Sequence, residues 1–315
     1  MLSPFHKCTR RGIIRSMERE HAVNSQRSTA GGIVQLQARL TSLSVWLGPA
    51  VAAACGVIIS IGTAGLVAID WTRLALLLLL VDGGWGTLWF ALSSTDWATP
   101  FQQWRRWHAG QPVARLPYTL PGTVGDRVSA WLGEFRAWWA VILWPACGPS
   151  ISAIVVSVPV IALFGLLLGP DLIAISLGAI AIMQLGVAWN QGRGEPVPEW
   201  DALVTIMLPW IAGQASFGRV TPGGAAFALL LALAYGTSRR TNSLSGRIAH
   251  ILVQTACALL LTTLGHPFAA LAFVLFLVPQ FSLLPWLGHN HSAEWYTRHS
   301  RCWLLASMLA IALAL

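Results

Sequence analysis

The chain has 315 residues, of which 55% are hydrophobic and only 10% charged, and its formal net charge is +8. Soluble domains carry about 25% charged residues, so this composition excludes an ordinary soluble protein and predicts a membrane protein. Because the cationic residues flank apolar segments, we attribute the positive charge to anionic lipid headgroups and not to nucleic acid. The five cysteines are scattered without a C-x-x-C pair, which indicates neither a disulfide framework nor a thiolate metal site.

The apolar segments predict an all-α protein, a polytopic transmembrane helical bundle of about nine spans. A span needs about 20 residues to cross a hydrocarbon core of about 30 Å at about 1.5 Å per residue. The last segment is the shortest and must borrow residues from Arg298 onward to cross fully. The predicted spans are residues 45–69, 74–92, 137–169, 172–189, 202–217, 223–237, 248–264, 267–286 and 302–315.

The basic residues lie almost entirely on one side of these spans. Of the 20 lysines and arginines, all but Arg73 and Arg219 fall in the N-terminal segment or in the second, fourth, sixth and eighth connections. The positive-inside rule therefore predicts a cytoplasmic N-terminus and an external C-terminus. We expect residues 1–44 to be a disordered basic cytoplasmic tail and residues 45–315 to be a single transmembrane helical domain. The expected location is the cytoplasmic (inner) membrane of a prokaryote.

Two stretches, near 97–107 and 126–142, predict amphipathic helices that lie in the membrane interface. Each has tryptophan on an apolar face and arginine on the opposite face, the pattern of an interfacial helix. The 17 tryptophans lie mostly near predicted span ends, as in the aromatic belts of membrane proteins. Between the second interfacial helix and the span that follows it, we predict a bend at the prolines at positions 145, 149 and 159.

Asp82, near the middle of the second span, is the first candidate for a functional residue. A charged carboxylate at mid-bilayer costs at least about 2.5 kcal/mol on insertion scales and indicates a functional site. Gly83 and Gly84 follow it, and such a pair permits unwinding of the kind seen in transporter helices. The alternative is a protonated aspartate that hydrogen-bonds to a neighbouring helix. Glutamines in three other spans complete the predicted intramembrane polar site: Gln184, Gln214 and Gln254.

A histidine-rich loop near the C-terminus is the candidate metal site. His289 and His291 offer two imidazoles, and Glu294 offers a carboxylate three residues later. The alternative is a solvated loop followed by a helix that Ser292 caps and in which Glu294 pairs with Arg298. Because the spacing matches no established metal motif, we predict no metal site and leave the cofactors open.

Motifs of known enzymes are absent from the sequence. It contains no G-x-x-x-x-G-K, H-E-x-x-H or G-x-S-x-G, and therefore no signal of a P-loop ATPase, a zincin or a nucleophile-elbow hydrolase. No catalytic residue is predicted.

Nine spans with a cytoplasmic N-terminus and inner loops after the second and sixth spans resemble the layout of UbiA-type membrane prenyltransferases. The resemblance implies aspartate-rich motifs in these two loops, which in that family hold magnesium and diphosphate. Here the first loop offers Asp96 and, far downstream, Asp126. The second, residues 238–243, contains Arg239 and Arg240 and no acid. The resemblance therefore covers the layout without the metal-binding residues.

These observations favour a non-catalytic membrane component: a scaffold, an accessory subunit or a lipid-binding protein. Its expected partners are membrane lipids and other protein subunits of a membrane complex. Two alternatives stay open. One is a lipid- or isoprenoid-modifying membrane enzyme with a UbiA-like layout, and the other is a small-solute transporter that uses Asp82.

Overall fold

The computed structural model describes residues 48–62, 69–104, 120–193, 197–287 and 292–315. Every regular element within these ranges is helical, which confirms the prediction of an all-α fold. The predicted N-terminal tail lies outside the described residues.

Ten helices follow one another in the described ranges, and three of them contain a π-helical segment. These segments are Leu79–Gly86 in α2, Trp139–Leu143 in α4 and Leu203–Met207 in α6. A 3-10 turn, Leu284–Trp286, follows α9. The helices are α1 (Pro49–Ile61), α2 (Trp71–Ser93), α3 (Ala98–Trp104), α4 (Val124–Leu168), α5 (Pro170–Arg193), α6 (198–217), α7 (Pro222–Ser238), α8 (Leu244–Thr263), α9 (Pro267–Ser282) and α10 (Ala293–Ala314).

Five of these helices are long and apolar enough to cross a membrane: α2, α4, α5, α8, and α9 with its 3-10 extension. Two shorter apolar helices, α1 and α7, accompany them. In the most apolar stretch of each of the five, only 22% to 44% of the residues are buried inside the protein. The remaining side chains form an apolar outer surface, which is compatible with an integral membrane protein whose helices face lipid.

Polar caps set where several of the helices begin. A side-chain oxygen accepts a hydrogen bond from a backbone N–H of the first turn, which has no partner within the helix. Proline at the first turn marks α1, α6, α7 and α9, because its missing N–H costs nothing there. The capping residues are Asp70 for α2, Thr123 for α4, Thr221 for α7, Ser243 for α8 and Ser292 for α10.

Helix α4 joins the predicted interfacial helix and the predicted third span into one unbroken helix. Its 45 residues measure about 68 Å at about 1.5 Å per residue, more than twice the thickness of a bilayer core. The irregularity of α4 lies at Trp139–Leu143, upstream of the prolines at which we predicted a bend. The other predicted interfacial helix, near 97–107, is α3, which ends within the described residues at Trp104.

Helices α1 and α6 pack with their backbones in close contact, because glycine stands at the crossing on both sides. A Cβ atom on Gly56 would overlap the Trp210 carbonyl oxygen, and one on Gly213 would overlap the Ala53 carbonyl oxygen. Ser60 Oγ donates to the Gln214 carbonyl oxygen across 3.0 Å at the same contact. Close approach at small residues is the usual way in which membrane helices associate.

Candidate functional site

A buried polar cluster lies where α7, α8, α9 and α10 meet. Helix α8 contributes His250 and Gln254, one turn apart on the same face. Gln280 of α9 and Tyr296 of α10 complete the set, and each of the four side chains is at most 1% exposed. Such groups are tolerated inside a membrane-type bundle only when they are hydrogen-bonded to one another or to the backbone.

Backbone carbonyls at both ends of this polar cluster determine where its protons lie. His250 Nδ1 is 3.0 Å from the Ala234 carbonyl oxygen, which can only accept, so Nδ1 carries the proton. Gln280 Nε2 donates to the Phe276 carbonyl oxygen across 3.1 Å, which turns Gln280 Oε1 toward α8. Gln254 Nε2 then donates one proton to Gln280 Oε1, at 3.0 Å, and the other to His250 Nε2, at 2.9 Å.

Donors and acceptors are not evenly matched in this cluster. The Tyr296 hydroxyl lies 3.0 Å from His250 Nε2, so two donors share the single lone pair of that nitrogen. Gln254 Oε1, in contrast, is buried without a hydrogen-bond partner. The arrangement needs a neutral imidazole, and its hydrogen bonds join the four helices α7, α8, α9 and α10.

A second cluster, of charged residues, joins the start of α6 to the end of α7. Arg239 donates to Asp201 Oδ2 across 2.6 Å and to the Tyr235 hydroxyl across 2.8 Å, and its guanidinium lies over the Tyr235 ring. Trp89 of α2 donates its indole N–H to Asp201 Oδ1 across 2.8 Å. Arg240 pairs with Glu199 at 2.9 Å. The two arginines that the sequence places in an acid-free loop are therefore paired with acids on the first turn of α6.

The loop after α7 also holds the neighbouring helix ends. Asn242 Oδ1 accepts from the backbone N–H of Ala293, at the start of α10, across 2.7 Å. Arg247 donates to the Thr241 and Leu287 carbonyl oxygens at 2.7 and 3.0 Å. These bonds connect the loop and the first turn of α8 to the residues that precede and begin α10.

Asp96 has a structural role at the start of α3. It accepts hydrogen bonds from the backbone N–H groups of Ala98 and Thr99 and from the Thr99 hydroxyl. The Thr99 side-chain hydrogen bond, followed by the backbone bonds, lowers the pKa of the Asp96 carboxyl below its ordinary value of 3.8. This acid, which lies in the first of the two loops compared with the UbiA layout, caps a helix.

The four residues of the predicted intramembrane site have different surroundings. Asp82 is half-buried within the π-helical segment of α2. Gln214 is fully buried, and its Oε1 accepts from the backbone N–H of Thr221 across 3.1 Å, which stabilises the turn into α7. Gln254 belongs to the polar cluster. Gln184 is exposed on the outer surface of α5, so it does not line the interior of the bundle.

The candidate metal residues His289 and His291 lie outside the described residues. Glu294 is on α10, which Ser292 caps by accepting from the Trp295 N–H, and it lies 3.8 Å from Arg298 at i,i+4. This is the helical alternative that the sequence offered for Glu294. Within the described ranges, no group of three or more His, Cys, Asp or Glu side chains is placed to hold a metal ion.

The predicted site omitted most of the residues that the structure brings together. His250 and Gln280 lie in predicted spans, but neither they nor Tyr296 belong to the predicted site. The i,i+4 spacing of His250 and Gln254 is the one local signal of the polar cluster. The pairing of Asp201 with Arg239 spans 38 residues and has no local signal.

Comparison with known proteins found no matching family model, no matching curated protein and no matching solved structure.

Proposed function

We propose that this protein is a non-catalytic, lipid-binding component of the membrane. The observation that carries the proposal is the first half of α4, an amphipathic helix with an exposed apolar stripe that continues without a break into an apolar span. Amphipathic helices with arginine on one face and tryptophan on the other bind at the boundary of headgroups and acyl chains.

The exposed stripe consists of Val124, Val128, Trp131 and Leu132. Trp131 is 53% exposed, although burying an indole ring is strongly favourable. Arg127 and Arg136 are exposed on the flanks of the stripe, where they can contact phosphate groups. The stripe continues into the exposed apolar surface of the second half of α4. Lipid can cover both of these surfaces, whereas a soluble partner could cover only the stripe.

The second half of the same amphipathic segment is anchored to the protein. Trp138 packs against Phe101 and Trp104 of α3, with ring centroids 5.9 and 5.2 Å apart. Trp104 also meets Phe135 edge-on at 6.0 Å. These contacts hold α3 and α4 together, so the exposed stripe lies on a helix that is packed against α3 through aromatic side chains.

The charged groups of the described residues support a binding role rather than catalysis. Asp96 caps α3, and Asp201 and Glu199 are engaged by Arg239 and Arg240. The side chains of the polar cluster around His250 are buried and bond to one another and to backbone carbonyls. None of these groups combines an activated nucleophile with an accessible partner, the arrangement that acyl or phosphoryl transfer requires.

The proposal includes the topology that the basic residues favour. It has nine spans: the five long helices, the two shorter apolar helices, and α6 and α10. With these spans the positive-inside rule predicts a cytoplasmic N-terminus. The amphipathic half of α4 then lies at the inner leaflet of a prokaryotic cytoplasmic membrane. Fusion of alkaline phosphatase after Leu315 should give activity outside the cell, and fusion after Arg240 should not; the reverse result would contradict this orientation.

Lipid retention tests the proposed function directly. The full chain is purified in mild detergent, and bound phosphatidylglycerol is counted by native mass spectrometry. The double variant Arg127→Gln/Arg136→Gln and the variant Trp131→Ala should each retain less lipid than the wild type. Arg219→Gln, on the predicted outer side, is the matched control. Equal retention by all of these proteins would contradict the proposal.

A second function, small-solute transport, is favoured by one observation, the π-helical segment around Asp82. Such segments occur frequently at functional sites, because they leave backbone carbonyls without their usual partners. A Cβ atom on Gly83, the next residue along the segment, would meet no atom within 4 Å, so there is open space at that position. If Asp82→Asn changes the uptake or efflux profile of cells while the protein level is unchanged, transport becomes the better proposal; an unchanged profile removes it.

A further inference from the structure

Gln184 is an exposed amide in the apolar part of α5, where the other exposed residues between positions 174 and 188 are apolar. It lies on the outer surface of α5, and within the described part of the chain its side chain makes no hydrogen bond. Gln254 and Gln280, on other spans, have the same side chain buried and bonded. The amide of Gln184 therefore lies on the outer surface of the bundle, whereas those of Gln254 and Gln280 lie inside it.

The position of Gln184 along the helix keeps its amide away from water when α5 crosses a membrane. It precedes Asn190, the last residue of the apolar span, by six residues, which is about 9 Å along the axis. Side chains on a helix tilt toward its N-terminus, so the amide points from this position toward the middle of the bilayer. Lipid chains offer it no hydrogen-bond partner, and leaving the group unpaired is costly.

Gln184 belongs to a row of exposed residues on α5, here called the seam, whose spacing is typical of a helix that packs against another helix. Exposed alanines recur every seven residues, and the residues three places after the first two of them are also exposed. This is the a and d spacing of a left-handed helix pair, with small residues at a that allow close backbone approach. The a positions are Ala174, Ala181 and Ala188, and the d positions are Leu177 and Gln184.

The exposed faces of the other long helices have a different composition. Helix α4 exposes Leu163, Leu166 and Leu167, and α9 exposes Phe268, Leu271 and Leu275, all large apolar side chains suited to lipid. The exposed Thr255 of α8 satisfies its own hydroxyl by donating to the Ile251 carbonyl oxygen. The α5 face alone among these combines small residues with an unsatisfied amide.

We propose that α5 binds a second copy of this chain through the seam formed by Ala174, Leu177, Ala181, Gln184 and Ala188. An amide carries both donors and an acceptor, so two glutamines related by a two-fold axis satisfy each other. Two copies of one chain share the same orientation, which places both Gln184 side chains at one depth. The inference goes beyond lipid binding and rests only on α5 crossing the membrane.

Energy transfer between full-length chains carrying donor and acceptor fluorophores, diluted stepwise in liposomes, tests the proposal. The wild type should associate, and Gln184→Leu should lower the association constant about three- to fifteenfold, the range of measured interhelical hydrogen bonds. Ala181→Leu should abolish association, because the larger side chain separates the backbones. Ala162→Leu, the same change on the exposed face of α4, is the control and should behave as the wild type.

Three outcomes would overturn the proposal: a wild type that is monomeric at the highest protein-to-lipid ratio, a Gln184→Leu curve that coincides with the wild type, or equal effects of Ala181→Leu and Ala162→Leu. Carbonate extraction of the same membranes is a separate measurement. Release of the wild type by carbonate would contradict the membrane assignment itself, whereas a retained but monomeric protein contradicts only the dimer.

Discussion

The Gln254 amide donates to His250 Nε2 across 2.9 Å, one turn apart on α8, and this bond connects two hydrogen-bond chains that begin at opposite backbone carbonyls. On one side the chain runs through His250 Nδ1 to Ala234 of α7. On the other it runs through Gln280 to Phe276 of α9. Both carbonyl oxygens can only accept, so a single arrangement of protons on His250, Gln254 and Gln280 satisfies both chains. Removal of His250 or Gln254 interrupts the connection between them.

Replacement of Gln254 by leucine should destabilise the protein, because the buried Gln280 Oε1 loses its donor. The expected loss is about 1–3 kcal/mol in the free energy of unfolding, measured by unfolding in mixed detergent and SDS. Gln184→Leu is the matched control, and at monomer concentrations it should cause no loss. A double-mutant cycle with His250→Leu should give a coupling of about 0.6–1.7 kcal/mol; a coupling of zero would show that the two residues act independently.

Gly56→Ala should destabilise the crossing of α1 and α6, although alanine favours a helix by about 1 kcal/mol over glycine. The new methyl group would overlap the Trp210 carbonyl oxygen, which is backbone and can yield only if the helices separate. We expect a net loss of about 1–3 kcal/mol, measured by thermal unfolding in detergent. Gly178→Ala makes the same change where nothing lies within 4 Å, and it should leave stability unchanged or raise it. Equal effects at both positions would refute the close contact.

Asp201→Asn should weaken the junction of α2, α6 and α7. The variant loses the ion pair with Arg239 and weakens the hydrogen bond from Trp89. Because the Arg239 and Asp201 side chains are 37% and 30% exposed, solvent screens the pair, and we expect a loss of about 1 kcal/mol rather than the value of a buried pair. Glu294→Gln, whose partner Arg298 is 3.8 Å away and whose side chain is 84% exposed, should have no measurable effect. Midpoints of SDS unfolding compare the two variants.

The start of α3 should lose stability in acid because of Asp96. The pKa of this carboxyl is lower in the folded protein than its ordinary value of 3.8, so the ionised form is favoured by folding. The contribution is therefore complete above about pH 4 and is lost as the pH falls through the lowered pKa. Asp96→Asn should remove this part of the pH dependence, and Thr99→Val should reduce it. Melting temperatures between pH 2 and 6 measure it; identical slopes for the wild type and Asp96→Asn would contradict the assignment.

The sequence predicted the all-helical character of this protein, because the signals that start and end helices are local. Apolar runs, the capping residues at positions 70, 221, 243 and 292, and prolines at first turns mark where helices begin. The helical alternative for Glu294, with Ser292 as the cap and Arg298 as the partner, depends on seven consecutive residues and is likewise local. The continuity of α4 was not predicted, because prolines that usually bend a helix lie inside one that stays unbroken.

What each polar side chain contacts was decided only by the tertiary structure. Gln184 and Gln254 are the same residue type at similar depth in predicted spans, yet one is exposed and the other is 1% exposed within a hydrogen-bonded cluster. A helix that faces lipid is apolar on every side, so the sequence period that separates core from surface in a soluble helix is weak here. Composition predicted an all-helical protein with apolar helices of the membrane type, and the distribution of the basic residues predicts its orientation. The packing of α7 to α10 buries Gln254 in a hydrogen-bonded cluster. Gln184 lies outside that packing, on the surface for which we propose a second copy of the chain.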